Sequence, residues 1–153
     1  MGTKRVGWAR IRSLINENAN QLKTKYEQQL SASAATALNA GNSGVIVLMG
    51  SGQDITLPTA QAGLSYTFTW AEDNGAASTI TATTPNFLAG AIQEHVGAKT
   101  HNHHGNGSSN LVLTLGTAIA AGDTIQMHSN GTLWFCTGMV SGAGAQGAVF
   151  SNS

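Results

Sequence analysis

The sequence predicts a mainly β fold: an N-terminal amphipathic helix followed by a small antiparallel β-sandwich or barrel-like domain. Three observations predict it. Apolar periodicity changes from about 3.6 near the N-terminus to 2 beyond residue 43. Short apolar or alternating runs then recur between clusters of turn formers. The chain also holds 19 glycines, placed where turns need them, and its 2 prolines both fall in the later segment.

Residues 5–31 read as helix. Trp8, Ile11, Ile15, Ala19, Leu22, Tyr26 and Leu30 are spaced three or four apart and form one apolar stripe. The pattern nearly repeats every 11 residues, so strong left-handed supercoiling is not demanded. Such a helix either caps its own β domain or offers its stripe to another surface. Residues 31–44, "SASAATALNAGNSG", are small and polar and read as a linker. The predicted organisation is therefore an arm and linker over 1–42 and a β domain over 43–153.

Strands follow in order. "VIVLM" (45–49) is an apolar run suited to a buried strand, and "DITLP" (54–58) stops at a proline that cannot donate to a ladder. "SYTFTW" (65–70) alternates Tyr66, Phe68 and Trp70 with Ser and Thr, as a half-buried strand does. "EDNG" (72–75) is a turn. "STITAT" (78–83), "NLVLTL" (110–115), "DTIQMH" (123–128) and "TLWFCTG" (132–138) continue the series. "SNG" (129–131) is a hairpin turn, because Asn and Gly tolerate positive φ. Together these give roughly eight strands. "SGAGAQGA" (141–148) reads as a low-complexity tail ending in Val149 and Phe150.

Charge is sparse and segregated. Charged residues make up 9% of the chain, against about 25% in an ordinary domain. Six of the 7 basic residues, Lys4, Arg5, Arg10, Arg12, Lys23 and Lys25, lie in the first 30 positions with only Glu17 and Glu27. The remainder sets Lys99 against Asp54, Glu72, Asp73, Glu94 and Asp123. A basic arm of this kind meets an acidic partner. Its charges are mixed and form no arginine-rich cluster or known reading motif, which favours an acidic protein surface over nucleic acid. No apolar run suits a membrane span or signal peptide, and Val6 stands where myristoylation wants Ser or Thr, so synthesis in a cytoplasm with no membrane address is expected.

Candidate chemistry is thin. "EHVGAKTHNHHGNG" carries His95, His101, His103 and His104, and reads as an exposed loop. His101 and His103 are two apart, so one chain offers two imidazoles, while three chains about an axis would offer six nitrogens. The reading adopted is no metal and no cofactor. Cys136 follows Trp134 and Phe135 and reads as a small buried hydrophobe. G-x-S-x-G, H-E-x-x-H and phosphate-binding glycine loops do not occur. Asp73 and Asp123 adjoin turn glycines or turn formers, where Asp serves the backbone. A non-enzyme is expected.

"ITLPTAQAGLSYTFTW" and "AAGDTIQMHSNGTLWFCTG" resemble a pattern met in bacteriophage virion appendages. The matching positions are Leu57, Pro58, Gly63, Leu64, Tyr66, Phe68, Gly122, Asp123, Ile125, Asn130, Gly131 and Trp134. "RVGWARIRSLINEN" is similar to the starts of small structural proteins of marine tailed phages. The likeness covers about half the chain and implies a capsid decoration or head-fibre protein: a β-rich head, often a homotrimer, held on the virion by an N-terminal segment. On that reading the major capsid protein is the partner. Lys4, Arg5, Trp8, Arg10, Ile11, Arg12 and Ile15 make the contact on the capsid exterior, which the protein decorates or stabilises. The alternative is a tail-fibre or tail-associated module that binds a receptor or carbohydrate, with an exposed aromatic platform using Trp70 or Trp134.

Overall fold

The computed structural model of the chain describes residues 7, 10–18, 29–32, 34–142 and 147–152. Residues 10–18 form a helix, α1. Twelve described strands follow: β1 (Gln29–Ser31), β2 (Ala35–Ala37), β3 (Ile46–Met49), β4 (Asp54–Thr56), β5 (Ala62–Trp70), β6 (Ser78–Thr81), β7 (Leu88–Val96), β8 (Lys99–Asn106), β9 (Val112–Leu115), β10 (Thr124–Asn130), β11 (Trp134–Ser141) and β12 (Ala148–Ser151). They make two open sheets, a seven-stranded one ordered β1-β3-β5-β10-β11-β7-β8 and a five-stranded one ordered β12-β9-β6-β4-β2.

The predicted mainly β class is what the chain adopts, but the sheets are mixed rather than antiparallel. From β1 to β6 the chain alternates between the sheets, leaving each strand for the opposite sheet and returning beside its predecessor. A return by way of the other sheet brings the strand back in the same direction, so β1, β3 and β5 run parallel, as do β2, β4 and β6. The later strands add antiparallel pairs: β7 with β8, β10 with β5 and β11, and β9 with β6 and β12. One further parallel pair, β11 with β7, completes the larger sheet.

The two inner faces share one apolar core. Val47, Met49, Tyr66, Phe68, Trp70, Leu88, Ile92, Ile125, Met127 and Trp134 come from the larger sheet, and Ile55, Ile80, Leu113 and Leu115 from the smaller. Their spacing of two along β5 and β10 is the alternation read from the sequence. The β10–β11 turn also forms where "SNG" predicts it. Gly131 takes φ 99°, and Asn130 Oδ1 accepts from the amides of Thr132 and Leu133. Gly90 fills a different need: φ is 113°, and a Cβ there would overlap the Cys136 carbonyl on the parallel neighbour.

Four further expectations are corrected. Helix over 5–31 does not hold at its end, where residues 29–31 form β1 against β3. Leu30 and Ala32, two apart, pack against the core, so a strand period wins there. Residues 31–44 are not a free linker, because β2 pairs with β4 and Leu38 is buried, so the β body reaches back to Gln29 rather than starting at 43. The histidine segment is not a loop but β8, the outer strand of the seven-stranded sheet. The tail likewise ends in β12, which pairs with β9.

Candidate functional site

Of the seven residues predicted to hold a partner, Lys4, Arg5 and Trp8 lie outside the described residues. The other four sit on α1, whose first turn closes with the amides of Arg10 and Ile11 on the Gly7 carbonyl. Every side chain of residues 10–18 is exposed. Ile11, Leu14 and Ile15 are 37%, 51% and 58% exposed, and their i, i+3, i+4 spacing puts them on one face. The sequence stripe passed from Ile11 to Ile15 and missed Leu14, although the i+3 position was the available signal. Arg10 and Arg12 are exposed on the same short helix, and Arg12 takes part in an interaction within the chain. The arrangement offers about two turns of apolar surface with guanidinium groups beside it.

On the β body, the residues that invite a chemical role are structural. Trp70 and Trp134 are buried, so neither forms an exposed platform, and both indole N–H groups lie in the core without a hydrogen-bond partner. Cys136 is buried, and removal from water pushes its thiol pKa up to about 12, holding it as the unreactive thiol at neutral pH. Burial also raises the Tyr66 phenol, whose hydroxyl donates to the Asn39 carbonyl.

All five carboxylates of this body accept hydrogen bonds. Asp54 accepts from the Thr79 hydroxyl, Glu72 from the Ser51 amide and Asp73 from the Ala121 amide. Asp123 accepts from the amides of Ala120 and Ser141 and from the Ser141 hydroxyl. The backbone service read for Asp73 and Asp123 is present.

Glu94 is the acid the sequence did not single out. It lies on β7 among inward-facing residues at 1% exposure. Its carboxylate receives the Gly147 amide at 2.7 Å and meets His103 Nε2 at 2.7 Å. His103 is thus turned inward as a partner of Glu94, while His104, one residue on, faces outward. Among the described residues no group of three or more His, Cys, Asp or Glu is placed to hold a metal ion.

The outer face of the larger sheet holds a groove of about 650 Å³. Two cross-strand rows build it. In one, Asn102, Gln93, Met139 and Thr124 lie side by side across β8, β7, β11 and β10; in the other, His104, Ala91, Thr137 and Gln126 do so. Small residues in the second row form the floor.

Comparison with known proteins gives no match to a family model, to a curated protein or to a solved structure. No helix among the described residues is long and apolar enough to cross a membrane.

Proposed function

We propose that the chain is a non-enzymatic virion structural protein that binds the exterior of a phage capsid and decorates or stabilises it, anchored by its N-terminal segment. The observation that carries this reading is the contrast in apolar exposure. Among the described residues of the β body, the exposed large apolar side chains are Ile46 and Met139, on separate strands, whereas Ile11, Leu14 and Ile15 stand exposed together on α1. An amphipathic face of this kind docks into an apolar groove through i, i+3 and i+4 anchors. Lys4, Arg5, Arg10 and Arg12 supply positive charge for carboxylates around that groove. The partner is the major capsid protein, and the chain acts as a homotrimer on the virion surface, where several weak anchors acting together give avidity.

The test is co-sedimentation of the full chain with empty phage capsids, compared with Ile11→Glu/Ile15→Glu. Both side chains are exposed, so the variant keeps the wild-type Tm, and its capsid binding is lost. Retained binding would assign the contact to the β body and overturn the anchor. The alternative of a tail-fibre module with a Trp70 or Trp134 platform has no support from the burial of these indoles.

A further inference from the structure

We infer that the groove on the outer face of the seven-stranded sheet is a binding site for a neutral oligosaccharide. This goes beyond the anchoring role of α1 and rests on different residues.

The chemistry of the lining leads to the ligand. Gln93, Asn102 and Gln126 bring three side-chain amides to the groove, with the Thr137 hydroxyl and the His104 imidazole among them. Among the described residues, none of those three amides is engaged in a hydrogen bond with the chain. A carboxamide both donates and accepts, and so does each hydroxyl of a sugar, so the two match without any net charge. No carboxylate, ammonium or guanidinium lines the groove, although the surrounding body carries five acids. A charged ligand would find no counter-charge there.

A peptide is disfavoured for a separate reason. β7, β10 and β11 are interior strands, and β8, the outer strand, presents its second row of backbone groups at the sheet edge rather than over this face. A peptide lying in the groove therefore has no ladder to extend. Recognition must come from side chains.

Geometry adds rigidity and an apolar contact. Neighbouring strands are about 4.8 Å apart, so β8 to β10 spans about 14 Å. The two rows lie about 7 Å apart along the strands. The hydrogen-bonded sheet fixes the backbone positions from which these side chains project, so binding orders side chains only and not the main chain. Met139, 54% exposed, projects beside the Ala91 floor and offers an apolar surface to the C–H face of a sugar ring. Beyond Thr137 on β11, Phe135 stacks with His128 at 5.3 Å between ring centroids, outside the groove lining. The groove volume of about 650 Å³ lies within the roughly 300–1,000 Å³ of ordinary ligand clefts.

The experiment titrates the isotope-labelled full chain with maltohexaose, mannohexaose and chitohexaose, and with hexagalacturonate as the anionic comparison, following amide resonances by NMR. At least one neutral oligomer is expected to shift the side-chain amides of Gln93, Asn102 and Gln126 together and to saturate. Gln126→Ala should weaken that binding about threefold to tenfold, the effect of one lost hydrogen bond. Ala91→Trp, which fills the floor, should abolish it while Gln126→Ala keeps the wild-type Tm. The inference is overturned by any of four results: no neutral oligomer shifts these amides; the anionic one binds more tightly; binding is indifferent to both variants; or light scattering shows a self-associated state that Ala91→Trp disperses, which would make this face an interface between copies.

Discussion

Glu94 gives the most exacting test of how the β body holds together, and the perturbation is Glu94→Ala. The carboxylate is 1% exposed and makes two short contacts, each 2.7 Å, with the Gly147 amide and His103 Nε2. Removing it leaves the buried Gly147 N–H without an acceptor, which costs about 1–3 kcal/mol, and takes away the acceptor facing His103 as well. The lost His103 contact and the orphaned Gly147 amide together are expected to cost about 2–4 kcal/mol. For a domain of this size the loss lowers Tm by roughly 10 °C. Glu94→Gln separates shape from charge: its carbonyl still accepts from Gly147 and its amide still faces His103 Nε2, so the loss falls to about 1 kcal/mol. The assay is equilibrium urea unfolding of both variants, of His103→Ala and of the double variant Glu94→Ala/His103→Ala. The cycle should return a coupling of about 1–2 kcal/mol between the two side chains. Glu94→Ala within 0.5 kcal/mol of wild type, or a coupling of zero, would refute the reasoning.

Three further outcomes follow from the same packing. Gly90→Ala puts a Cβ into the Cys136 carbonyl at φ 113° and should cost about 2–5 kcal/mol, whereas Gly97→Ala, with φ 57° and open space around it, should cost about 1 kcal/mol; calorimetry of the pair checks the ranking. Asn74, 0% exposed, donates to the carbonyls of Leu115 and Gly116 and accepts from Ser78 and the Gly52 amide. Asn74→Asp turns a carboxylate toward those two carbonyls, so in urea melts it should destabilise at least as much as Asn74→Ala, by about 2–4 kcal/mol. Cys136 has a folded pKa of about 12 against 9.0 for a free thiol, so its contribution is fully present below pH 9 and is lost as pH rises toward 12, because the unfolded thiol ionises first. Cys136→Ala should flatten that part of the alkaline stability profile, and native Cys136 should resist iodoacetamide at pH 8.

Legibility in the sequence followed how plainly each strand alternates. β5 and β10 place Tyr66, Phe68, Trp70, Ile125 and Met127 inward at every second position, and both were read. β7 turns Leu88, Gly90, Ile92 and Glu94 the same way, but a glycine and a carboxylate occupy inward positions and hide the period. β8 contains no large apolar residue, and only its pairing with β7 makes it a strand, so its composition alone reads as loop. Strand direction was not legible, since it depends on which sheet each segment joins. The candidate sites divide in the same way. The α1 stripe is local and was visible, with Leu14 overlooked. The groove exists only through cross-strand rows, such as His104, Ala91, Thr137 and Gln126, that no linear spacing records.

Salt separates the two proposed surfaces, because charge is distributed so unevenly between them. The first 30 residues hold six of the 7 basic side chains, and the β body has only Lys99 against five acids. If the proposed anchor holds, pairing of its basic side chains with acidic groups of the partner is screened as the Debye length falls from about 10 Å at 0.1 M to about 3 Å at 1 M. The groove draws on neutral amides, a hydroxyl and Met139, whose hydrogen-bond and apolar contacts do not depend on a long-range field. Raising sodium chloride from 0.1 M to 1 M should therefore weaken capsid binding severalfold and leave oligosaccharide affinity within about twofold. Capsid binding indifferent to salt would mean that the Ile11, Leu14 and Ile15 face acts alone, with the basic side chains contributing nothing to the anchor. Oligosaccharide affinity falling in parallel with capsid binding would place both ligands on the charged arm. A single salt series that weakens capsid binding and spares oligosaccharide affinity would establish that the two surfaces act independently.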